Sequence, residues 1–157
     1  MNAKELISRL SVGIKSTDWA KVCELAKASG IKVHLAIFRE PFLSFILDGQ
    51  KTIESRFSQN RCSPYNQVGS GDIILLKKTG GPITGFCVAK EVKYYQLTPE
   101  KLIGLRKKYS PQICAQDNSF WQERSGKSFA TLIWIEKPTS IEPFHIPKRD
   151  RRGWVTL

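Results

Sequence analysis

Three charged side chains within six residues, Lys51, Glu54 and Arg56, are the best candidates for chemistry in this chain. A lysine ammonium binds phosphate as a point charge, and it acts as a base when burial and cationic neighbours lower its pKa. A glutamate accepts hydrogen bonds from a nucleobase edge or acts as a general base, while a neighbouring arginine keeps it ionised or binds an anion itself. The alternatives are a solvated turn lysine and a structural ion pair between Glu54 and Arg56 across a barrel.

These side chains lie between a predicted helix and a predicted strand. Residues 40–48 have a helical pattern, with Pro41 suited to the first helical position and Gly49 suited to the left-handed position after the last turn. Residues 52–57 alternate as in a strand, which puts three polar side chains on one face: Thr52, Glu54 and Arg56. Lys51 occupies the turn at the start of this strand. Because the chain has just left a helix there, we expect Lys51 and Glu54 to be exposed to a cleft rather than buried.

The same segment resembles the signature of ASCH (activating signal cointegrator homology) domains. The pattern is Gly-x-Lys-Thr-x-Glu-x-Arg, from Gly49 to Arg56, and Phe-Arg-Glu-Pro-Phe precedes it at residues 38–42. A Gly-Asp pair at residues 71–72 and an apolar strand pattern at residues 85–89 are similar to later parts of these domains. The resemblance covers roughly residues 33–136. It implies a PUA-like β-barrel fold and a link to RNA.

The resemblance also implies a possible enzyme activity. Some ASCH proteins hydrolyse RNA or acylated cytidine nucleosides. In the branch that acts on cytidine derivatives, the proposed nucleophile is a threonine at the position that Glu54 occupies here. A carboxylate cannot take the role of that hydroxyl without a different covalent chemistry. The hydrolytic alternative for this chain is therefore a metal-independent reaction in which Glu54 activates water.

Three further residues are candidates for the same pocket. Ser128 would supply a hydroxyl, as a third catalytic candidate beside the lysine and the glutamate. Tyr65 and Trp121 are candidate aromatic walls, and core packing is the alternative for Trp121. The triplet Gly-Lys-Ser at residues 126–128 does not indicate a nucleoside triphosphatase, because position 121 is tryptophan where the phosphate-binding loop requires glycine.

The net charge of +11 on 157 residues points to a polyanionic partner. The alternative is a generally basic, solvated surface. Four basic residues lie close to Trp154 near the end of the chain: Lys148, Arg149, Arg151 and Arg152. Such a patch grips phosphates while the indole stacks on a base. The other interpretation is a disordered basic tail whose Trp154 merely docks into the core.

The remaining composition gives no sign of a metal, a cofactor or a membrane segment. The four cysteines are widely spaced without a C-x-x-C pair, and the two histidines have no metal-ligand spacing. The N-terminus has no long apolar run, so neither a signal peptide nor a membrane span is predicted. We therefore expect a cytoplasmic protein with reduced thiols, without a cofactor, and monomeric.

The chain is expected to form one α+β domain, a PUA-like mixed β-barrel of five to six strands. Residues 1–30 are predicted as an N-terminal extension of two helices, residues 31–146 as the barrel domain, and residues 147–157 as a basic tail. The predicted strands cover residues 32–38, 52–57, 72–77, 83–93, 129–135 and 141–146. Inserted helices are predicted to begin at residue 99 and to cover residues 118–124.

The function predicted from these features is recognition of RNA or of a nucleotide-like ligand. The expected cleft is lined by four residues: Lys51, Glu54, Arg56 and Ser128. Thr52, Tyr65, Trp121 and the basic tail are expected to contribute to binding. The alternatives are a hydrolase that acts on RNA or on modified nucleosides, and a protein-interaction adaptor in which the motif is purely structural.

Overall fold

In a computed structural model of the chain, residues 19–146 and 151–157 are described, and they form four helices and six strands. The helices are α1 (Trp19–Ala28), α2 (Phe42–Leu47), α3 (Pro99–Ile113) and α4 (Asn118–Glu123). The strands are β1 (Val33–Phe38), β2 (Ile53–Ser58), β3 (Ile73–Lys78), β4 (Ile83–Gln96), β5 (Phe129–Phe144) and β6 (Trp154–Thr156).

All six strands belong to one curled sheet, in the order β2-β5-β4-β3-β1-β6. Strands β1 and β3 are parallel, and the other neighbours are antiparallel. The sheet is therefore mixed, and its two edges are β2 and β6. This half-barrel with four helices confirms the predicted α+β fold.

The elements around the charged motif follow the sequence prediction closely. Gly49 ends the turn after α2 with a φ of +86°, a conformation that glycine adopts without a steric cost. Helix α2 begins one residue later than predicted, because Pro41 is its N-cap. The carboxylate of Glu40 accepts a hydrogen bond from the backbone N–H of Ser44 at 3.2 Å. Of the predicted N-terminal extension, the second helix is α1, and residues 1–18 lie outside the described residues.

The prediction of separate strands at residues 129–135 and 141–146 was wrong, because both belong to the single strand β5. Lys137 has a φ of +52° in the middle of this strand, and the pairing of β5 with β4 shifts register along its length. Bulges of this kind bend a strand without ending its pairing. In the sequence, such a bend looks like a gap between two strands.

Strand β6 was not predicted, and a buried polar cluster holds it against β1. His34 on β1 is fully buried, and its Nε2 lies 2.9 Å from Oδ2 of Asp72. The indole Nε1–H of Trp154 donates to Nδ1 of His34 at 3.2 Å, so the imidazole proton lies on Nε2 and is donated to Asp72. Burial alone would raise the pKa of Asp72, but the hydrogen bonds from His34 and the backbone of Gly69 hold it below its ordinary value. The aspartate therefore stays ionised and fixes the position of the histidine.

The two edges of the sheet approach each other along a seam that Arg56 bridges. From β2, Nη2 of Arg56 donates to the carbonyl oxygen of Ile37 at 2.8 Å, and Nη1 donates to that of Gly153 at 3.3 Å. These acceptors lie on β1 and directly before β6. A single guanidinium thus joins the first and last strands of the sheet. The charged motif lies in this seam.

Helix α2 packs closely against β4, and we expect the contact to tolerate no added methyl group. A Cβ on Gly85 would lie 2.6 Å from Cδ2 of Leu47 and 2.7 Å from the carbonyl oxygen of Thr139. Because a backbone carbonyl cannot move aside cheaply, Gly85→Ala is expected to lower the free energy of unfolding by about 1–3 kcal/mol. Urea denaturation measures this change.

Gly104 provides the matched control for this substitution. It lies inside α3, and a Cβ there meets nothing within 4 Å. Gly104→Ala is expected to raise the free energy of unfolding by about 0.5–1 kcal/mol, because glycine weakens a helix interior. Equal effects of the two alanine substitutions would contradict the close packing at Gly85.

Candidate functional site

Lys51, Glu54 and Arg56 form one ion triad at the seam. Nζ of Lys51 lies 3.3 Å from Oε2 of Glu54, and Nε of Arg56 donates to Oε1 of Glu54 at 2.7 Å. Each carboxylate oxygen therefore faces a different cation. The prediction that Glu54 and Arg56 share one face of the strand is confirmed.

The expectation that Lys51 and Glu54 are exposed was wrong. Their exposed fractions are 3% and 6%. Nζ of Lys51 donates to the carbonyl oxygen of Ile113, at the C-terminal end of α3, over 2.7 Å. Carbonyls at this end of a helix lack partners within the helix and attract a cation. Lys51 is therefore drawn inward by a helix that follows it by about sixty residues in the sequence.

Burial changes the acid–base properties of the lysine. It lowers the pKa of Lys51, and the charge and hydrogen bond of Glu54 partly offset this effect. The ammonium nevertheless has two anionic or dipolar partners, the glutamate and the helix terminus. The arrangement is typical of a structural or electrostatic role for Lys51 at the base of a cavity.

The donors of Arg56 are largely occupied by the protein. Besides the hydrogen bonds to Glu54 and across the seam, its guanidinium lies between two aromatic rings. The distances from Cζ to the ring centroids are 4.8 Å for Phe38 and 5.3 Å for Trp154. Arg56 therefore holds Glu54 in place and closes the sheet.

Above the triad lies a cavity of about 390 Å³. Three aromatic residues line it, one from β1, one from α2 and one from α4: Phe38, Phe42 and Phe120. Two cations, Arg39 and Arg124, and the carboxylate of Glu123 also line it. A volume of this size suits a small organic ligand. A cavity with aromatic walls and a charged floor suits a ligand that has both a flat ring and anionic groups.

Arg124 is more closely held than Arg39. Its guanidinium carbon lies 3.5 Å from the ring centroid of Phe120, and Nη1 donates to the carbonyl oxygen of Phe120 at 2.8 Å. Burial lowers the pKa of Arg124, and the charges of Arg56 and Arg39 contribute to that shift, while Glu123 and Glu54 oppose it. Arg39 and Arg56 are thus close enough to Arg124 to disfavour its positive charge, a condition that an anion relieves.

Arg39 has the freer side chain. It is exposed, and no hydrogen bond joins its guanidinium to the residues that the structure describes. Its planar fork of N–H donors therefore remains available for a carboxylate or a phosphate at the cavity rim.

The open edge of β2 also faces this cavity. The carbonyl oxygen of Thr52 accepts a hydrogen bond from the N–H of Ile135, within β5. The carbonyl oxygen of Ser58 accepts one from the N–H of Ser128, directly before β5. Because backbone groups alternate in direction along a strand, the N–H and C=O of Ser55 point away from β5. Ser55 lines the cavity, so the edge adds one donor and one acceptor there.

Four residues predicted for the site lie outside this cavity. Thr52 is exposed and is not among its lining residues, and its N–H donates to the carbonyl oxygen of Gln112. Ser128 lies beside Ser58, four residues beyond Glu54 and so about 13 Å further along β2. Tyr65 and Trp121 are buried in the core.

Packing holds the two candidate aromatic walls, Tyr65 and Trp121, in the core. Nε1 of Trp121 donates to the carbonyl oxygen of Ala115 at 2.7 Å, and its ring packs edge-on against Phe57. Tyr65 packs against Tyr94 and Phe129. The neighbouring Phe120 is the ring that faces the cavity. Helix α4 therefore turns Trp121 inward and Phe120 toward the cavity. The sequence did not show which of these two adjacent aromatic residues would face the cavity.

The basic tail divides into two parts. Lys148 and Arg149 lie outside the described residues, whereas Arg151 and Arg152 are exposed. Trp154 is 2% exposed, so the prediction that its indole stacks on a base was wrong and docking into the core is what occurs. The ring contacts Arg56 and His34 instead.

Neither a metal cluster nor a membrane helix is found among the described residues. No three or more His, Cys, Asp or Glu side chains come together there in a way that would hold a metal ion. Within residues 19–146 and 151–157, no helix is both long and apolar enough to cross a membrane.

Comparison with known proteins reveals a likeness in structure rather than in sequence. No protein-family profile and no curated protein sequence matches the chain. The crystal structure of ASCH from Zymomonas mobilis matches with a TM-score of 0.65 and 16% sequence identity, covering 80% of this chain and 87% of that one. Crystal structures of two mutants of that protein match with a TM-score of 0.63 each, at 14% and 15% identity. They cover 80% of this chain, and 90% and 88% of their own chains. The likeness shows that this chain shares the fold of the ASCH protein from Zymomonas mobilis, as the resemblance of the segment from Gly49 to Arg56 predicted.

Proposed function

We propose that the chain binds RNA or a nucleotide-like ligand in the seam cavity. The observation that carries this proposal is the combination of aromatic walls with two arginines above a buried carboxylate. A nucleotide has the matching groups: a flat base, hydrogen-bond donors on the base edge, and a phosphate. The ASCH fold adds support, because the resemblance to ASCH domains implies a link to RNA.

The base would lie against the aromatic rings that line the cavity. Phe42 and Phe120 contact each other with ring centroids 6.0 Å apart and ring planes tilted by 57°, and both line the cavity. Stacking of a base on an aromatic side chain contributes about 1–3 kcal/mol. The edge of the base would then meet the open backbone edge at Ser55 and the carboxylate of Glu54, which accepts from an amino group.

The phosphate would lie at the rim with the two arginines. Arg39 has uncommitted donors, and Arg124 is fixed by its contact with Phe120. The net charge of +11 would speed the approach of a polyanion. We also propose that the basic tail binds the phosphate backbone of the RNA beside the cavity, through Lys148, Arg149, Arg151 and Arg152.

Hydrolysis is the second candidate, and one observation favours it. A lysine whose pKa is lowered by burial beside a cavity is a feature of many catalytic sites. However, both oxygens of Glu54 are paired with cations, so taking a proton from water would require Glu54 to give up one of these ion pairs. The geometry therefore supports binding better than catalysis. A bell-shaped pH–rate profile for cleavage of RNA would favour the hydrolase.

Binding to single-stranded RNA is expected to depend strongly on salt. If about five phosphates are neutralised, the logarithm of affinity should fall with the logarithm of salt concentration at a slope near −3.5. Titration of a short mixed-sequence RNA at several salt concentrations measures the slope. Replacing the four basic tail residues by alanine should flatten it.

A polyglutamate peptide of equal charge is the control for this titration. The peptide presents negative charges without nucleobases, so it should bind much more weakly than the RNA. Absence of RNA binding at low salt, or equal affinity for the peptide, would contradict the proposal.

A further inference from the structure

We infer that the seam cavity continues into a second subsite for the adjoining phosphate of a single-stranded chain, with Lys127 as its phosphate-binding residue. This inference rests on the proposed function and goes beyond it, because it makes the ligand an oligonucleotide rather than a free nucleotide. It also gives a role to the Gly-Lys-Ser triplet at residues 126–128, which does not form a phosphate-binding loop.

The second subsite is a cavity of about 260 Å³ that adjoins the first. The two cavities share four lining residues: Ser55, Arg56, Glu123 and Arg124. Phe57 and Lys127 line only the second one. Because the two cavities are adjacent, a ligand in the first cavity can extend along the open edge of β2 into the second.

The charges of the second cavity suit a phosphodiester better than a base. Three cations line it, Arg56, Arg124 and Lys127, against the single carboxylate of Glu123. That carboxylate is 76% exposed and lies 3.7 Å from Nη1 of Arg124, so it can turn toward solvent when an anion enters. Phe57 is the one aromatic ring among its lining residues, and this partly buried ring packs edge-on against Trp121.

Lys127 is free to serve as the point charge of this subsite. The turn that follows α4 positions it, through a φ of +82° at Gly126 and a hydrogen bond from its own N–H to the carbonyl oxygen of Arg124 at 3.2 Å. No hydrogen bond joins its ammonium to the residues that the structure describes. A flexible ammonium with free donors is suited to a phosphate.

The test compares ribonucleoside 5′-monophosphates with the matching 5′-phosphorylated dinucleotides, by calorimetry at fixed salt. The wild-type protein is expected to bind the dinucleotide about tenfold more tightly, the scale of one added charge-assisted contact. Lys127→Ala should remove most of this gain and leave the affinity for the monophosphate within about twofold. Lys107→Ala removes the same charge from the exposed face of α3 and should preserve the gain.

Two results would overturn the second subsite alone. One is a dinucleotide that binds no more tightly than the monophosphate. The other is a Lys127→Ala variant whose affinity falls equally for both probes. Lys127 would then either belong to the first cavity or act only through the general positive charge of the surface. Wild-type protein that binds neither probe would overturn the proposed function together with this inference.

Discussion

Glu54→Gln is expected to lower the free energy of unfolding by about 3 kcal/mol, because it removes the carboxylate that lies between two cations at the base of the cavity. Lys51 and Glu54 are both almost fully buried, so solvent cannot replace the lost charge. Glutamine keeps the shape of the side chain and one acceptor oxygen, but its NH₂ group faces the other cation as a donor, so a charge and an ion-paired acceptor are lost together. Urea denaturation of the variant and the wild type at neutral pH measures the difference.

Glu123→Gln is the control for this substitution. Glu123 also lines the cavity, but its carboxylate is 76% exposed and its nearest cation lies 3.7 Å away. The same chemical change there should alter the free energy of unfolding by no more than about 0.5 kcal/mol. A Glu54→Gln variant as stable as Glu123→Gln would mean that the triad does not hold the seam together.

Much of the triad could be predicted from the sequence because its geometry is local. Glycine at position 49 and alternation through residues 52–57 are enough to put Glu54 and Arg56 on one side of a strand. Burial of the same residues could not be predicted in this way. The carbonyl group that draws Lys51 inward belongs to Ile113, and the acceptors of Arg56 belong to Ile37 and Gly153.

The cavity itself is a product of tertiary structure. Arg39 follows β1, Phe42 begins α2, and Phe120 and Arg124 lie in and just after α4. None of these elements reveals from its own pattern that it will meet the others at the seam of a curled sheet. The one available signal was the Phe-Arg-Glu-Pro-Phe block at residues 38–42, which contributes three of the lining residues.

Strand β6 shows the same limit at the end of the chain. Its three residues follow a run of basic residues that suggests a tail. Their pairing with β1 depends on the buried contact between Trp154 and His34, which are 120 residues apart. A short strand at a sheet edge has too little alternation to be recognised from sequence alone.

Joint replacement of Arg39 and Arg124 by alanine is expected to have the largest effect on binding. Each arginine would lose charge-assisted hydrogen bonds to the ligand, at about 1.5–3 kcal/mol for each residue. Affinity for single-stranded RNA should therefore fall at least a hundredfold. Arg39→Lys should recover only part of the loss at that position, because an ammonium cannot form the two parallel hydrogen bonds of a guanidinium.

The control must separate this site from the general positive charge of the protein. Lys90→Ala/Lys107→Ala removes two exposed charges from residues that do not line the cavity. Its effect on affinity should be limited to a few-fold at moderate salt. Thermal unfolding of both double variants verifies that each remains folded.

Calorimetric titration of one short single-stranded RNA into the wild type and these two double variants tests most directly whether the seam cavity binds RNA. We expect Arg39→Ala/Arg124→Ala to lose at least about a hundredfold in affinity, while Lys90→Ala/Lys107→Ala stays within a few-fold of the wild type. Equal losses in the two folded variants would mean that the RNA recognises only the net charge and that the seam cavity is not the binding site.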